Sequence, residues 1–412
     1  MDPRRRQFLS RMGSGAVALF ASLASGCAMP KIWNPCLEQL PDDLAGHPLV
    51  TAAWEGINPQ LLWDCHAHIA GTGDAESGIA LSADMSSIFH PLQYAQRLFY
   101  LNAGCADREP GQVDRSYVNR LLALMDGLRP GAKLLLFAFD RAHDSDGRPL
   151  PEQSAFYVPN GYAHYLARAH PRHFEWVASI HPYRADAVAA LEQAHADGAR
   201  AVKWLPPAMG IDPAEKRCQP FYRAMARLEM PLITHGGEEK AVHGAGRPEF
   251  GNPLRLRLPL DMGVRTIVAH CASIGTDQDS DNGDRPVASF ALFRRMMANP
   301  AHQEHLFGDL SAITLRNRDP AVVRTLIEEE KWHHRLLNGS DYPLPGIMPL
   351  INPTSFARAG LLDEEAVPLL QALQGYNPLL FDFVLKRRLH ADGRRFPARV
   401  FETRHFFERS PQ

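Results

Sequence analysis

The sequence predicts an α/β fold: a closed (β/α)8 TIM barrel with an inserted helical segment after strand 1 and a C-terminal helical extension. Three observations lead there. Short apolar, β-like runs alternate with helical patterns until eight runs have been counted, as repeated βαβ units do. The runs are apolar on both faces, which suits parallel strands covered by helices. Polar residues recur at their ends, where a barrel gathers its βα loops. An open doubly wound sheet is the competing arrangement, and it typically has fewer strands.

The 412 residues are 45% hydrophobic and 22% charged, enough for a sizeable core. Barrels of this type run to about 250 residues and beyond as one unit, so length does not demand several domains. A formal net charge of −2 gives no electrostatic case for nucleic acid. No internal stretch is apolar and long enough to span a bilayer.

Arg4-Arg5-Arg6-Gln7-Phe8-Leu9-Ser10 precedes a weakly apolar segment, 12–23, and resembles a twin-arginine export signal. The expected partner is therefore the twin-arginine export machinery, and the expected location the periplasm or cell envelope. Leu23-Ala24-Ser25-Gly26-Cys27 resembles a lipobox, with Ala24 where the pattern prefers Leu. Lipid anchoring through Cys27 and simple cleavage near Gly26 stand as alternatives. Residues 1–27 are set aside as signal, 28–58 as tether and lead-in, 59–390 as barrel and 391–412 as tail. The five cysteines after Cys27 are scattered, form no C-x-x-C pair and do not read as a disulfide framework.

The first strand is the run 61–68, ending in His66-Ala67-His68. In a regular strand His66 and His68 share a face, as does Asp64, while Cys65 and Ala67 point the other way. Two imidazoles ~7 Å apart at Cα can converge on one metal at Zn–N distances of about 2.0–2.1 Å. After Gly71-Thr72-Gly73 comes a long excursion to about residue 131, with helical patterns at 91–103 and 113–128, expected over the mouth of the fold. The remaining strands are expected at 133–140, 174–181, 200–205, 231–235, 264–270, 305–311 and 335–341. Helical patterns fall between them at 160–169, 184–197, 220–229, 254–262, 287–298 and 320–330. The tail from about 363 is helical, then basic and aromatic, and is expected to pack outside the barrel.

Lys203, His235, His270 and Asp341 end the fourth, fifth, sixth and eighth runs, so a barrel would bring them above one pore with His66 and His68. These motifs, Asp64-Cys-His-Ala-His68, Val202-Lys-Trp204, Thr234-His-Gly236, Ala269-His-Cys271, Gly339-Ser-Asp-Tyr-Pro343 and Asn377-Pro378, resemble the amidohydrolase superfamily. The branch is the amidohydrolase-related family 2, and the resemblance covers roughly residues 60–390.

That resemblance implies a metal-dependent hydrolase using a metal-activated water on a small amide, ester or lactone. His66, His68, Lys203, His235, His270 and Asp341 would be metal ligands for one or two divalent ions, most simply zinc. Asp341 would also be the base, with His270 a ligand or a hydrogen-bond partner of the water. Lys203 would be carboxylated between two metals or unmodified beside one, or else paired with a neighbour such as Asp309. Arg316, Arg318, Trp204 and Glu238 are the substrate-binding candidates, the arginines for a substrate carboxylate. Glu239 stands beside Glu238 as an oxygen ligand or a solvated residue. A decarboxylase or hydratase of the same superfamily, acting on an aromatic or keto acid, is the competing function. A non-catalytic metal-binding lipoprotein is a third, disfavoured because storage needs no carboxylate base. Replacing Arg5 and Arg6 with Lys is expected to leave the chain at precursor mass in the cytoplasm; unchanged processing on an immunoblot refutes the export reading.

Overall fold

The computed structural model describes residues 32–408. Eight parallel strands close into a barrel: β1 (Trp63–His68), β2 (Lys133–Phe137), β3 (Phe174–Val177), β4 (Val202–Trp204), β5 (Leu232–His235), β6 (Thr266–Ala269), β7 (Leu306–Asp309) and β8 (Leu336–Leu337). Registered parallel ladders join β1 to β2, β2 to β3, and β4 through to β8 in order. The remaining two seams are made by single bridges. Lys203 N donates to Ala178 O at 2.7 Å between β3 and β4. At the other seam Cys65 N donates to Asn338 O at 3.0 Å and His68 N to Tyr342 O at 2.8 Å, which closes β8 onto β1. The open-sheet alternative is thereby excluded.

The strands are shorter than the apolar runs, because each run continues past its last ladder bond into the loop that carries polar groups. Between them lie α1 (Pro91–Ala103), α2 (Val113–Asp126), α3 (Asn160–Ala169), α4 (Ala187–Ala196), α5 (Gln219–Arg227), α6 (Arg257–Asp261), α7 (Ser289–Ala298) and α8 (Pro320–Glu328). α9 (Ala366–Tyr376) and α10 (Pro378–Arg388) follow β8. The start of α10 explains the Asn377-Pro378 pair. Proline at the first helical position loses no needed donor, and the Asn377 side chain accepts from Leu379 N and Leu380 N. Its amide also donates to Leu124 O of α2 at 2.8 Å. That pair is a helix cap tying the extension to the insertion.

Alternation along β4 sorts its residues. Val202 and Trp204 pack outward among the helices, with the Trp204 ring 5.6 Å from Phe221, so Lys203 is left inside the barrel. β1 departs from strict alternation. Its register slips between Asp64 and Ala67, and Cys65 packs in the barrel interior while Ala67 joins the outer layer. Asp64 also leaves the histidines' face: it lines a small cavity with Leu379, Asp382 and Phe383 of α10.

Inside the barrel, Trp63, Cys65, Leu135, Phe137, Val177, Ala201, Ile233, Ile267, Leu337 and Phe407 form a core of their own. Phe407 corrects the expectation for the tail. Residues 400–407 close the floor: Asn338 N donates to Val400 O at 2.8 Å, and Thr403 Oγ1 donates to Trp63 O.

The lead-in crosses the insertion. Asn34 Nδ2 donates to Gly346 O at 3.0 Å, and the Asn34 backbone N–H donates to Asn102 Oδ1 at 2.8 Å. Cys36 and Cys105 form a disulfide, which corrects the expectation of unpaired cysteines; Cys65, Cys218 and Cys271 are buried and free. Spacing could not show this pair, because 69 residues separate its members and only the docking of the lead-in brings them together. Among the described residues no helix is long and apolar enough to cross a membrane.

Truncating Ile267, fully buried in the inner core, removes contacts that no neighbour can replace. Ile267→Ala is expected to cost about 2–5 kcal/mol, read as a lower urea midpoint than wild type.

Candidate metal centre

Three ligand atoms, one each from His66, His270 and Asp341, lie within 4.8 Å of one another at the C-terminal end of the barrel. All three residues are buried. β1 delivers His66, the turn after β6 delivers His270, and the loop after β8 delivers Asp341. The carboxylate faces ring nitrogens on several sides: Oδ1 is 3.1 Å from His68 Nε2 and 3.3 Å from His66 Nε2, and Oδ2 is 3.8 Å from His270 Nε2.

His270 gets there through unusual backbone. His270, Cys271 and Ala272 have φ of 57°, 52° and 49°, a left-handed turn made without glycine. Such conformations cost about 1–2 kcal/mol per residue, and non-glycine examples concentrate at functional sites. Here the turn is held by His270 N donating to Asp309 Oδ1 at 2.8 Å and Ser273 N donating to His270 O at 3.0 Å. Asp341 is also left-handed, at φ 60°, and its N–H donates to His66 O at 2.8 Å.

Asp309 is fully buried at the end of β7 and serves both histidines. Its Oδ2 accepts from His66 Nδ1 at 2.8 Å, and its Oδ1 from His270 N and, at 3.0 Å, Ser311 N. It does not pair with Lys203, as its sequence position allowed. The Lys203 ammonium instead lies 3.3 Å from His66 Nε2 and 5.0 Å from the centre of the Phe137 ring. Asp64 does not bond to a ring. Its Oδ1 accepts from His66 N at 3.0 Å and Ser340 N at 2.8 Å, so it pins backbone on both sides of the β1–β8 seam.

The protonation states suit cation binding. Burial, then the Lys203 charge, push His66 down to about 4, and burial pushes His270 well below its usual value, so both rings are neutral at pH 7. Burial would raise the Asp341 carboxyl, but His66, His270 and His68 around it outweigh that and hold it well below the carboxylate range. Burial lowers Lys203, opposed by Asp309, Asp341 and Glu239. A metal requires this donor chemistry: neutral imidazole nitrogens and an ionised carboxylate. The residues also fit in orientation. His66 and His270 each engage Nδ1 with Asp309 or Ser311, which leaves Nε2 toward Asp341; metal-binding histidines are held by this kind of outer partner.

The other sequence candidates divide. His235 lines the same space, its ring 5.5 Å from that of His270, but Nδ1 is 3.3 Å from Glu239 Oε2 and Nε2 3.3 Å from Glu238 O. Glu239 is thus the inward carboxylate. Glu238 stands at the outer rim, exposed and 3.1 Å from Lys240. Trp204 is fully buried behind the barrel wall, donating to Ile180 O at 2.8 Å, and does not reach the mouth. Arg316 is exposed and lines neither cavity at the mouth. Arg318 does turn inward, its Nη1 donating to Ser273 Oγ at 2.6 Å while Nε is buried without a partner.

Two adjoining cavities of about 100 and 270 Å³ meet at His235, His270 and Asp341. The smaller has apolar walls from Leu81, Met85, Phe139, Phe156 and Leu205; the larger holds Arg318. Arg97, Tyr100 and Leu101 of α1 roof the smaller one, and these the sequence did not single out. Helical periodicity marked α1 as amphipathic without showing which face meets the barrel.

No protein-family model and no curated protein matches the chain. Solved structures similar to it include a probable 2-pyrone-4,6-dicarboxylic acid hydrolase from Acinetobacter baumannii, at 13% identity and TM-score 0.40, covering 73% of this chain and 99% of that one. An amidohydrolase II is similar at 16% identity and TM-score 0.41, covering 78% and 99%. A 2,6-dihydroxybenzoate decarboxylase is similar at 14% identity and TM-score 0.44, covering 78% and 98%. These are distant likenesses, to proteins named as a hydrolase, an amidohydrolase and a decarboxylase.

Purified without added metal, the protein is expected to carry a divalent ion by elemental analysis. His66→Ala combined with His68→Ala is expected to remove it; full occupancy in that variant moves the site elsewhere.

Proposed function

We propose that this protein is a metal-dependent hydrolase of the amidohydrolase superfamily that acts on a small, carboxylate-bearing amide, ester or lactone. The convergence of His66, His270 and Asp341 on one point at the barrel mouth carries the reading. These three would hold a divalent ion, zinc by the preference of mixed nitrogen and oxygen donors, with His68, Lys203 and His235 beside them. Bound there, such an ion supplies Lewis acidity that polarises a carbonyl and acidifies water.

The chain's own groups do the rest. Asp341 is ionised, fixed by its backbone bond to His66 O, and so is the acceptor for a proton from water. His270, neutral and 3.8 Å from Asp341, is the next group able to accept one. Arg318 has no carboxylate within ion-pair distance among the described residues. Burial lowers it to about 10, against the pull of Asp341, Glu239 and Asp309. Arg318 is half-buried with its Nε shut off from solvent; such a cation without a counter-ion is costly, and a substrate carboxylate would satisfy it. The apolar walls take the remainder of the substrate and exclude water.

The same placement of Arg318 supports a second reading. A carboxylate held in that cavity faces Asp341 and His270, as a decarboxylase would require. Release of CO2 from a turned-over acid, in place of a new carboxylate from an ester or lactone, would decide for it. The basic N-terminus and Cys27 lie outside the described residues and support export to the periplasm or cell envelope, with or without a lipid anchor.

Asp341→Asn keeps the shape and removes the proton acceptor. With a substrate found by screening esters, lactones, amides and aromatic acids, kcat is expected to fall about 10²–10⁴-fold with the melting temperature little changed. Near-normal turnover would make His270 the base. Arg318→Ala is expected to lower kcat/KM for carboxylate substrates about tenfold or more, the scale of a hydrogen bond to a charged group, and to spare uncharged analogues.

A further inference from the structure

The hydrogens around Asp309 can be assigned one at a time. Its Oδ1 faces the backbone N–H groups of His270 and Ser311, which can only donate. A buried carboxyl supplied with several such donors is held ionised, and an ionised carboxylate only accepts. His66 Nδ1, 2.8 Å from Asp309 Oδ2, must therefore carry the hydrogen. Its Nε2 then holds a lone pair with two neighbours at 3.3 Å: the Lys203 ammonium, a donor that lone pair can accept, and Asp341 Oδ1, a second lone-pair group of the kind a cation would satisfy together with it.

The same logic passes to His270 through Ser311, which is fully buried. A serine hydroxyl has one hydrogen, and that of Ser311 goes to Asp309 Oδ1. Its oxygen must then accept from His270 Nδ1, 2.7 Å away. It also lies 3.0 Å from His66 Nδ1, a second acceptor for the hydrogen already placed there. Ser311 O, 3.1 Å from His270 Nδ1, is a carbonyl and can only accept as well. Two acceptors facing one ring nitrogen require that nitrogen to bear the hydrogen.

We propose that Asp309 and Ser311 act as one clamp that fixes both His66 and His270 as Nδ1–H tautomers, so that both Nε2 lone pairs face the cavity. Asp309 acts directly on His66 and, through the Ser311 hydroxyl, on His270. They are positioning residues that touch neither substrate nor reacting atoms. The inference deepens the metal reading of the site and rests on it, because an imidazole whose Nε2 carries hydrogen cannot bind a cation through that atom.

The test is a long-range 1H–15N correlation spectrum of the full protein labelled with 15N-histidine, stripped of metal and held at pH 7.5. Signals are assigned by their loss in His66→Gln and His270→Gln. Wild type is expected to show both rings with hydrogen on Nδ1. In Ser311→Ala, His270 is expected to shift to a mixture of tautomers while His66 stays as it was. In Asp309→Asn, His66 is expected to lose its fixed pattern.

Cobalt(II) affinity, measured by the visible absorption of the bound ion, is expected to weaken about 10–100-fold in each variant, the usual effect of removing such outer partners. Hydrogen on Nε2 of either ring in wild type overturns the clamp. So does a Ser311→Ala protein whose His270 pattern and cobalt affinity both match wild type; this variant removes one hydroxyl and leaves the Asp309 charge and its backbone donors in place. Both rings found as Nδ1–H in a wild type that binds no cobalt would uphold the clamp and refute the metal reading.

Discussion

One buried carboxylate links three strands of the barrel to the chemistry above it. Asp309 belongs to β7, binds the ring of His66 on β1 at 2.8 Å and holds the backbone of His270 after β6 at 2.8 Å. A charge taken out of water is tolerated only when its lone pairs are met by donors. Here two backbone N–H groups, a hydroxyl and an imidazole meet it. Satisfying that charge fixes where both histidines stand, so electrostatic need and ligand geometry become the same requirement. The left-handed turn at 270–272 is part of it, since its first N–H is one of those donors.

The barrel separates this polar end from an apolar floor. Phe137 lies between them: it belongs to the inner core, and its ring is 4.7 Å from His66 and 5.3 Å from His68. With apolar side chains below, the field of each charge at the polar end is weakly screened. That setting moves His66, His270, Lys203 and Arg318 away from their ordinary values. It also makes the lack of a carboxylate partner for Arg318 among the described residues informative.

Much of this was legible in the sequence because a barrel converts sequence order into spatial convergence. Eight apolar runs marked the strands, and the polar residues ending them, His66, Lys203, His235, His270 and Asp341, do gather at one end. What escaped depended on orientation. Trp204 sits one residue from Lys203, yet alternation sends it behind the wall. Glu238 and Glu239 look alike in sequence, and the turn after His235 sends the first to solvent and the second inward. Arg316 and Arg318 differ in the same way. Asp309 was visible only as a possible neighbour of Lys203, because hydrogen bonds to residues 243 and 39 positions away leave no local pattern. The Cys36–Cys105 pair and the Phe407 floor arise from docking of chain ends, which periodicity does not encode.

The floor has a consequence for the order of events during synthesis. The residues that seal β8 against β1 from below, Val400, Thr403 and Phe407, are made long after β1. Until they leave the ribosome, Trp63 and the inner core lack their cover at one end and the first and last strands lack their common brace. Closing the barrel floor therefore waits on a contact that spans 340 residues, from Trp63 to Thr403.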